Sequence, residues 1–76
     1  MGTNEFSVCQ VFTSGDYEYV RRFVSADEAV KAALHCSSSI AAKIGIVDSI
    51  MITDGLDCIV FEWRRNQGIV VPESVP

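Results

Sequence analysis

Hydrophobic and polar residues alternate along Phe6–Phe12 and again along Tyr17–Val24. This period of two predicts two strands, because successive side chains of a strand point to opposite faces of its sheet. Residues 13–16 between them are polar and include Gly15, which can take the positive φ that a tight turn requires. The chain therefore begins with a predicted hairpin. Alternation in its second strand groups four residues on one face, which can point inwards or outwards: Tyr17, Tyr19, Arg21 and Phe23.

The spacing of hydrophobic residues changes to three and four after the second strand, as it does along one face of a helix. Ser25 can cap this helix by accepting a hydrogen bond from the backbone of Glu28, and Gly45 provides a left-handed stop. The three serines at 37–39 weaken the middle, because serine side chains compete for backbone hydrogen bonds. The pattern predicts one helix of about 18–20 residues, bent or loosened at the serines.

A second hairpin is predicted after the helix. Its first strand is Val47–Thr53, with Ile50 and Ile52 on the core face, and its second strand covers residues 58–65. Residues 54–57 between them contain aspartate and glycine, which are ordinary turn residues. Both hairpins and the intervening helix therefore follow one another without a long loop.

The strand at residues 58–65 is apolar on both faces in its first half. The pattern assigns three residues to the helix-covered core: Ile59, Phe61 and Trp63. Cys58 and Val60 point the other way and are candidates for a second interface. A strand that is apolar on two sides needs a cover on each side, which hints at a partner or a second copy of the chain.

The order of elements is ββαββ, with a possible fifth strand at residues 69–71 that pairs within the chain or with another copy. Ten valines and seven isoleucines against two leucines favour sheet over a helical bundle. The predicted fold is a two-layer α+β domain over residues 1–71, with an antiparallel sheet and one helix packed on one face. Residues 72–76 are predicted to form a flexible tail. Strand orders 2-1-3-4 and 1-2-4-3 both keep the sheet antiparallel.

Length and composition favour self-association. A chain of 76 residues buries only about 60% of the surface that it exposes when unfolded. Forty of these residues are apolar when glycine is counted and tyrosine is not, which exceeds the usual share of about 45–50%. A small domain has little interior for such a surplus, so we expect a homodimer.

The net charge of −4 and the pI of about 4.6 oppose non-specific binding to nucleic acid or to an anionic membrane. No apolar run approaches the roughly 20 residues of a membrane-spanning helix. The first residues lack the basic and apolar regions of a signal peptide. We therefore expect a cytoplasmic protein without a membrane partner.

Three cysteines are spread widely through the chain: Cys9, Cys36 and Cys58. An odd number cannot all pair in disulfides, and their spacing with the single histidine, His35, does not match a zinc site. His35 and Cys36 are adjacent in the predicted helix, so their side chains point about 100° apart and do not form a nucleophile and base pair. We predict no metal, no cofactor and no enzymatic activity.

Four of the six basic residues occur as two pairs near strand ends: Arg21, Arg22, Arg64 and Arg65. If the second and fourth strands are neighbours, the pairs can approach one another and form an anion site. Three aromatic residues nearby can stack against bases, as in proteins that bind single strands: Tyr17, Tyr19 and Trp63. Glu18 and Glu62 lie on the same strands, however, and can instead form cross-strand salt bridges with the arginines.

The leading hypothesis from these patterns is a small non-enzymatic interaction module that acts as a homodimer. It would bind an unidentified protein or a small ligand at its sheet face or dimer groove. A nucleic-acid-binding adaptor is the alternative, and a thiol-dependent enzyme is a third reading. The candidate interaction residues are Tyr17, Tyr19, Arg21, Arg22, Cys58, Val60, Trp63, Arg64 and Arg65.

Overall fold

The computed structural model describes residues 4–70, which form a five-stranded sheet and two helices. In chain order the elements are β1 (Phe6–Phe12), β2 (Tyr17–Val24), α1 (Ala26–Ser37), α2 (Ile40–Lys43), β3 (Val47–Thr53), β4 (Ile59–Arg64) and β5 (Gly68–Val70). The strands lie in the order β2-β1-β3-β4-β5, and every neighbouring pair is antiparallel. The predicted α+β fold is confirmed, and the order 2-1-3-4 is the one that the chain adopts. Val71 and the predicted tail at residues 72–76 lie outside the described residues.

Both predicted hairpin turns are present. In the first turn, the backbone N–H of Phe12 donates to the carbonyl of Asp16 at 2.8 Å, and Gly15 has a φ of +97°. In the second turn, Oδ1 of Asp54 accepts hydrogen bonds from the backbone of Leu56 at 2.9 Å and of Cys58 at 3.0 Å. Because Cys58 belongs to this turn, β4 begins one residue later than the alternation predicted.

The predicted helix is interrupted at the serines, where it was expected to be bent or loosened, and forms a main helix and a short second one. α1 ends at Ser37 and α2 begins at Ile40, because the backbone of Ser39 is extended, with φ −72° and ψ 162°. The Ser39 hydroxyl also donates to the carbonyl of Cys36 at 2.7 Å, which the N–H of Ile40 would bind in a continuous helix. The predicted helix start is confirmed, since Ser25 Oγ accepts from the backbone N–H of Glu28 at 3.2 Å.

One side of the sheet, called the helix side, forms the core with α1 and α2. Its central row consists of Val8, Ile52 and Phe61, which are direct neighbours on adjacent strands. Val8, Val47 and Ile50 are fully buried beneath the helices, and Ile52 is nearly so. α1 packs against β1, β2 and β3. The sheet therefore extends beyond its helical cover at β4 and β5.

The strand at β4 departs from the predicted core in one residue. Phe61 and Trp63 pack against the buried core, as predicted. Ile59 is 42% exposed, so its assignment to the core is wrong. The cause is an irregularity in register between Ile52 and Thr53, after which Ile59 pairs with Thr53 and no longer continues the helix-side row.

Candidate interaction surface

The side of the sheet opposite the helices, called the open face, is formed by two rows of cross-strand neighbours. The first row runs through Tyr19, Cys9, Met51, Glu62 and Val70, and the second through Tyr17, Val11, Ser49, Arg64 and Gly68. Among residues 4–70, both helices pack on the other side of the sheet. On β2 and β1 the open face is mostly apolar, on β3 Met51 lies between the polar Ser49 and Thr53, and on β4 the side chains are charged.

Four exposed or partly exposed side chains form a rim along the β2 edge, called the aromatic rim: Tyr17, Tyr19, Arg22 and Phe23. The rings of Tyr17 and Tyr19 meet edge to face with centroids 6.1 Å apart. The guanidinium carbon of Arg22 lies 4.4 Å from the centroid of Tyr19 and 5.1 Å from that of Phe23. Such contacts between a cation and aromatic faces hold the side chains together while leaving their outer surfaces available.

Phe23 has an unusual backbone conformation. Its φ is +58°, in the left-handed region that bulky residues rarely adopt, and its side chain is 64% exposed. Burial of the ring therefore does not compensate for the strained backbone. Strained backbone conformations are concentrated at active sites and ligand-binding sites, so Phe23 is a candidate recognition residue of the rim.

The arginine that joins the tyrosines is Arg22, whereas strict alternation placed Arg21 with them. The pairing of β1 with β2 shifts twice, between Phe6 and Val8 and again between Val8 and Cys9. Each shift adds a residue to β2, which reverses the face on which the following side chains lie. Arg21 consequently lines a groove on the helix side.

The two arginine pairs do not converge. β1 and β3 separate β2 from β4, a distance of about 14 Å at the usual strand spacing. Arg64 Nε donates to Glu62 Oε2 at 2.6 Å, and this bond raises the pKa of the Arg64 guanidinium. Arg65 forms a looser ion pair with Asp48 at 3.7 Å. The β4 arginines are therefore partly neutralised by acidic neighbours.

Of Glu18 on β2 and Glu62 on β4, only Glu62 forms an ion pair with an arginine in the described part of the chain. Glu62 lies beside Arg64 on the same strand, so the contact is local and does not cross the sheet. Glu18 Oε1 instead accepts a hydrogen bond from Gln10 Nε2 at 2.9 Å. The predicted cross-strand salt bridge from Glu18 to an arginine is not formed within the described part of the chain.

The remaining candidates from β4 lie away from the aromatic rim. Trp63 is on the helix side, paired with Ile50 on one flank and Ile69 on the other. Cys58 and Val60 are exposed near the second hairpin turn. Of the nine predicted residues, the structure brings three together in the aromatic rim, Tyr17, Tyr19 and Arg22. Arg64 lies elsewhere on the open face.

Sequence reasoning missed the central residues of the open face. Cys9 is buried there, and Met51 lies beside it on β3 as its direct partner. Val11 extends the apolar surface towards Tyr17. The alternation in β1 and β3 did contain this signal, but only the strand order shows that these residues are neighbours.

The cysteines are separated among three elements, since Cys9 lies on β1, Cys36 on α1 and Cys58 in the second turn. Burial raises the pKa of the Cys9 and Cys36 thiols, which reduces the thiolate that nucleophilic catalysis requires. Within residues 4–70, no cluster of three or more histidine, cysteine, aspartate or glutamate side chains is arranged to hold a metal ion.

Searches against models of protein families, curated proteins and solved structures found no match to this chain. In the described part of the chain, neither helix has the length and apolar character needed to span a membrane. The function of this chain is therefore inferred from the surfaces of the molecule itself.

Proposed function

We propose that this protein is a small non-enzymatic interaction module that acts as a homodimer, with the open faces of two copies packed against each other. The observation that supports this proposal most directly is the group of apolar and aromatic side chains formed by Tyr17, Tyr19, Val11 and Met51 on the open face, which no described element covers. Tyr17 is 66% exposed and Tyr19 is 44% exposed on that surface. Exposed apolar surfaces of this kind mark association sites when they are contiguous.

In the proposed dimer the twofold axis lies over β1 and parallel to that strand. It places Tyr19 of each copy opposite Met51 of the other, since β2 and β3 flank β1 on either side. The ion pair between Glu62 and Arg64 then lies at the border of the contact, where it stays hydrated. This arrangement resembles an ordinary interface, in which an apolar centre is surrounded by a polar rim.

The size of the surface predicts a reversible dimer. The five strands contain 31 residues in all, and at about 3.3 Å per residue and about 4.8 Å between strands they present roughly 500 Å² in projection. A standard stable interface buries about 800 Å² of accessible surface on each partner. A contact over three of the five strands buries about as much as this standard interface or less. The dimer should therefore dissociate on dilution. Such a module can exchange its own copy for another protein with a similar apolar face. We propose that it acts in the cytoplasm.

Sedimentation velocity over a range of protein concentrations tests the proposal. Tyr19→Glu and Met51→Glu each place a charge in the contact, so each should weaken the dimer by at least about tenfold. Ile40→Glu is the matched control, because Ile40 is 77% exposed on α2 and lies on the other side of the molecule. A wild-type chain that stays monomeric at every concentration contradicts the proposal. Dissociation by Ile40→Glu, with no effect of Tyr19→Glu, would place the interface elsewhere.

A nucleic-acid-binding adaptor is the second candidate, and the position of Arg22 between Tyr19 and Phe23 is what favours it. A cation beside aromatic rings is the arrangement that binds the backbone and stacks the bases of a single strand. The net charge of −4 and the paired arginines of β4 oppose it. Titration with short single strands at low salt should show binding that Arg22→Ala abolishes and Arg65→Ala preserves. Failure to bind under these conditions excludes this candidate.

A further inference from the structure

A groove of about 490 Å³ lies between α1 and the edge strand β2, on the helix side of the sheet. Its apolar lining includes Val20 from the strand and Ala32 and Cys36 from the helix. The alanine side chain is small, and no described strand lies beyond β2, so the space between the two elements stays open. Its volume is within the range of about 300–1,000 Å³ that small-molecule sites occupy.

The rim of the groove is basic. Arg21 from β2 and Lys31 and His35 from α1 line it, and these are three of the seven lysine, arginine and histidine residues in a chain of net charge −4. Lys31 and His35 are four residues apart and therefore lie on the same face of the helix. Two elements thus bring basic side chains to one opening.

Arg21 is held at the groove and keeps donors available. Its Nη1 donates to the carbonyl of Val20 at 2.8 Å, which fixes the guanidinium near the strand. The charge of Arg21 acts on Cys36 across the groove, where it partly offsets the rise in thiol pKa caused by burial. The ion pairs found in residues 4–70 join other arginines to acids and involve neither Arg21 nor Lys31.

The charge of Glu18 on β2 also acts on Cys36, and among residues 4–70 Glu28 is the one acidic side chain that lines the groove. It is three residues from Lys31 on α1 and can offset part of that charge. The net positive charge at the rim is therefore small, which favours a ligand with a single negative charge over a polyphosphate. A carboxylate suits the planar guanidinium of Arg21, because the two groups can form paired hydrogen bonds.

We propose that this groove binds a small organic carboxylate that has an apolar body. The carboxylate is held by Arg21 with Lys31 and His35 nearby, and the apolar body packs against Val20 and Ala32. The groove lies on the helix side and the proposed dimer contact on the open face, so the two proposals are independent. The ligand site remains outside the contact when the open faces of two copies meet.

Benzoate is a suitable probe, and binding can be followed through the backbone amide signals of β2 and α1 by NMR titration. We expect saturable shifts confined to the residues around the groove. Benzamide has the same ring without the charge and should bind at least about tenfold more weakly, since a charged hydrogen bond contributes more than a neutral one. Inorganic phosphate, which lacks the apolar body, should also bind more weakly than benzoate.

Adjacent arginines provide the matched variants. Arg21→Gln removes the guanidinium from the groove and should weaken benzoate binding by about tenfold or more. Arg22→Gln changes the neighbouring residue, whose guanidinium contacts Tyr19 and Phe23, and should leave binding unchanged. Repeating the titration in Tyr19→Glu separates the two proposals, because binding should persist whether or not the dimer forms.

Three results would overturn the inference. The first is an absence of saturable shifts with benzoate while the amide spectrum shows a folded chain. The second is equal affinity for benzoate and for either benzamide or phosphate. The third is equal loss of affinity in Arg21→Gln and Arg22→Gln, which would indicate a general effect of charge.

Discussion

The hydroxyl of Ser39 donates a hydrogen bond to the carbonyl of Cys36 at 2.7 Å. The same oxygen accepts a hydrogen bond from the backbone N–H of Ala42 at 3.2 Å. One side chain therefore bonds to the end of α1 and caps the start of α2. The resulting change of direction brings Ala42 into the core beside Val47.

Replacing Ser39 by alanine should lower the free energy of unfolding by about 1 kcal/mol, because the helix cap is lost. Ser37→Ala is the control. The Ser37 hydroxyl bonds only to the carbonyl of Leu34 at the end of α1, at 2.9 Å, and alanine compensates through its higher helix propensity. Urea unfolding of the two variants measures the difference. Equal stabilities would contradict the capping role.

Replacing isoleucine by valine should lower the free energy of unfolding at Ile50 but have little effect on it at Ile69. Ile50 is fully buried beneath the helices, whereas Ile69 is 55% exposed on β5. Ile50→Val should lower the free energy of unfolding by about 0.5–1.5 kcal/mol through the lost methylene and the space left behind. Ile69→Val should change it by less than about 0.5 kcal/mol. Thermal or urea unfolding of both variants checks that the helical cover ends before β5.

Phe23→Gly should raise stability by about 0.5 kcal/mol, because the relief of left-handed strain exceeds the added flexibility of glycine in the unfolded chain. Tyr19→Gly is the control on the same strand. Its backbone φ is not in the positive region, so glycine there should be destabilising by about 1 kcal/mol. A loss of stability in Phe23→Gly as large as that in Tyr19→Gly would show that the ring of Phe23 supports the fold itself.

Among the three thiols, Cys58 should react first with an aromatic disulfide reagent at neutral pH. It is exposed in the second turn, whereas Cys9 and Cys36 are buried and have raised pKa values. Burial limits the access of the reagent, and the raised pKa lowers the fraction of thiolate that can attack it. Counting released thiol with time should give one fast phase that Cys58→Ser removes. A fast phase that survives this change would place a reactive thiol elsewhere.

The raised thiol pKa of Cys36 also predicts a pH dependence of stability. The folded state holds this proton more tightly than the unfolded chain does, so its contribution is complete below the ordinary value of 9.0. That contribution is lost as pH rises through the raised value. Unfolding measured between neutral and alkaline pH should therefore show a decline that is smaller in Cys36→Ala. A decline of equal size in both proteins would assign it to other groups.

Local sequence signals predicted most of the elements. The bounds of β1, β2 and β3 follow directly from alternation and from the turns that separate them. α1 is shorter than the predicted length of about 18–20 residues because the apolar spacing continues past Ser37, whereas Ser39 has an extended backbone and its hydroxyl binds the carbonyl of Cys36. Apolar spacing records which side chains can face a core, but it does not record this competition for backbone hydrogen bonds.

The candidate surface was less predictable for a related reason. The register shifts beside β2 exchange the sides of Arg21 and Arg22, and such bulges leave no mark in a simple alternation. Strand order had a similar effect, because the convergence of the arginine pairs required β2 and β4 to be neighbours. Tyr17 and Tyr19 were identified correctly as companions because they lie before the irregular part of the strand.

The central pairing of β1 with β3 has a consequence for how the chain folds. The hairpins β1–β2 and β3–β4 join residues that are close in sequence, whereas Phe12 pairs with Val47 and Ser7 with Thr53, 35 and 46 residues further along. Closing such long loops costs conformational entropy before the contacts between the strands can stabilise the chain. Each hairpin is local in sequence, but a two-stranded hairpin alone is marginally stable, and the core forms only when α1 packs against β1, β2 and β3. We therefore expect the pairing of β1 with β3 to be the step of folding that completes the core.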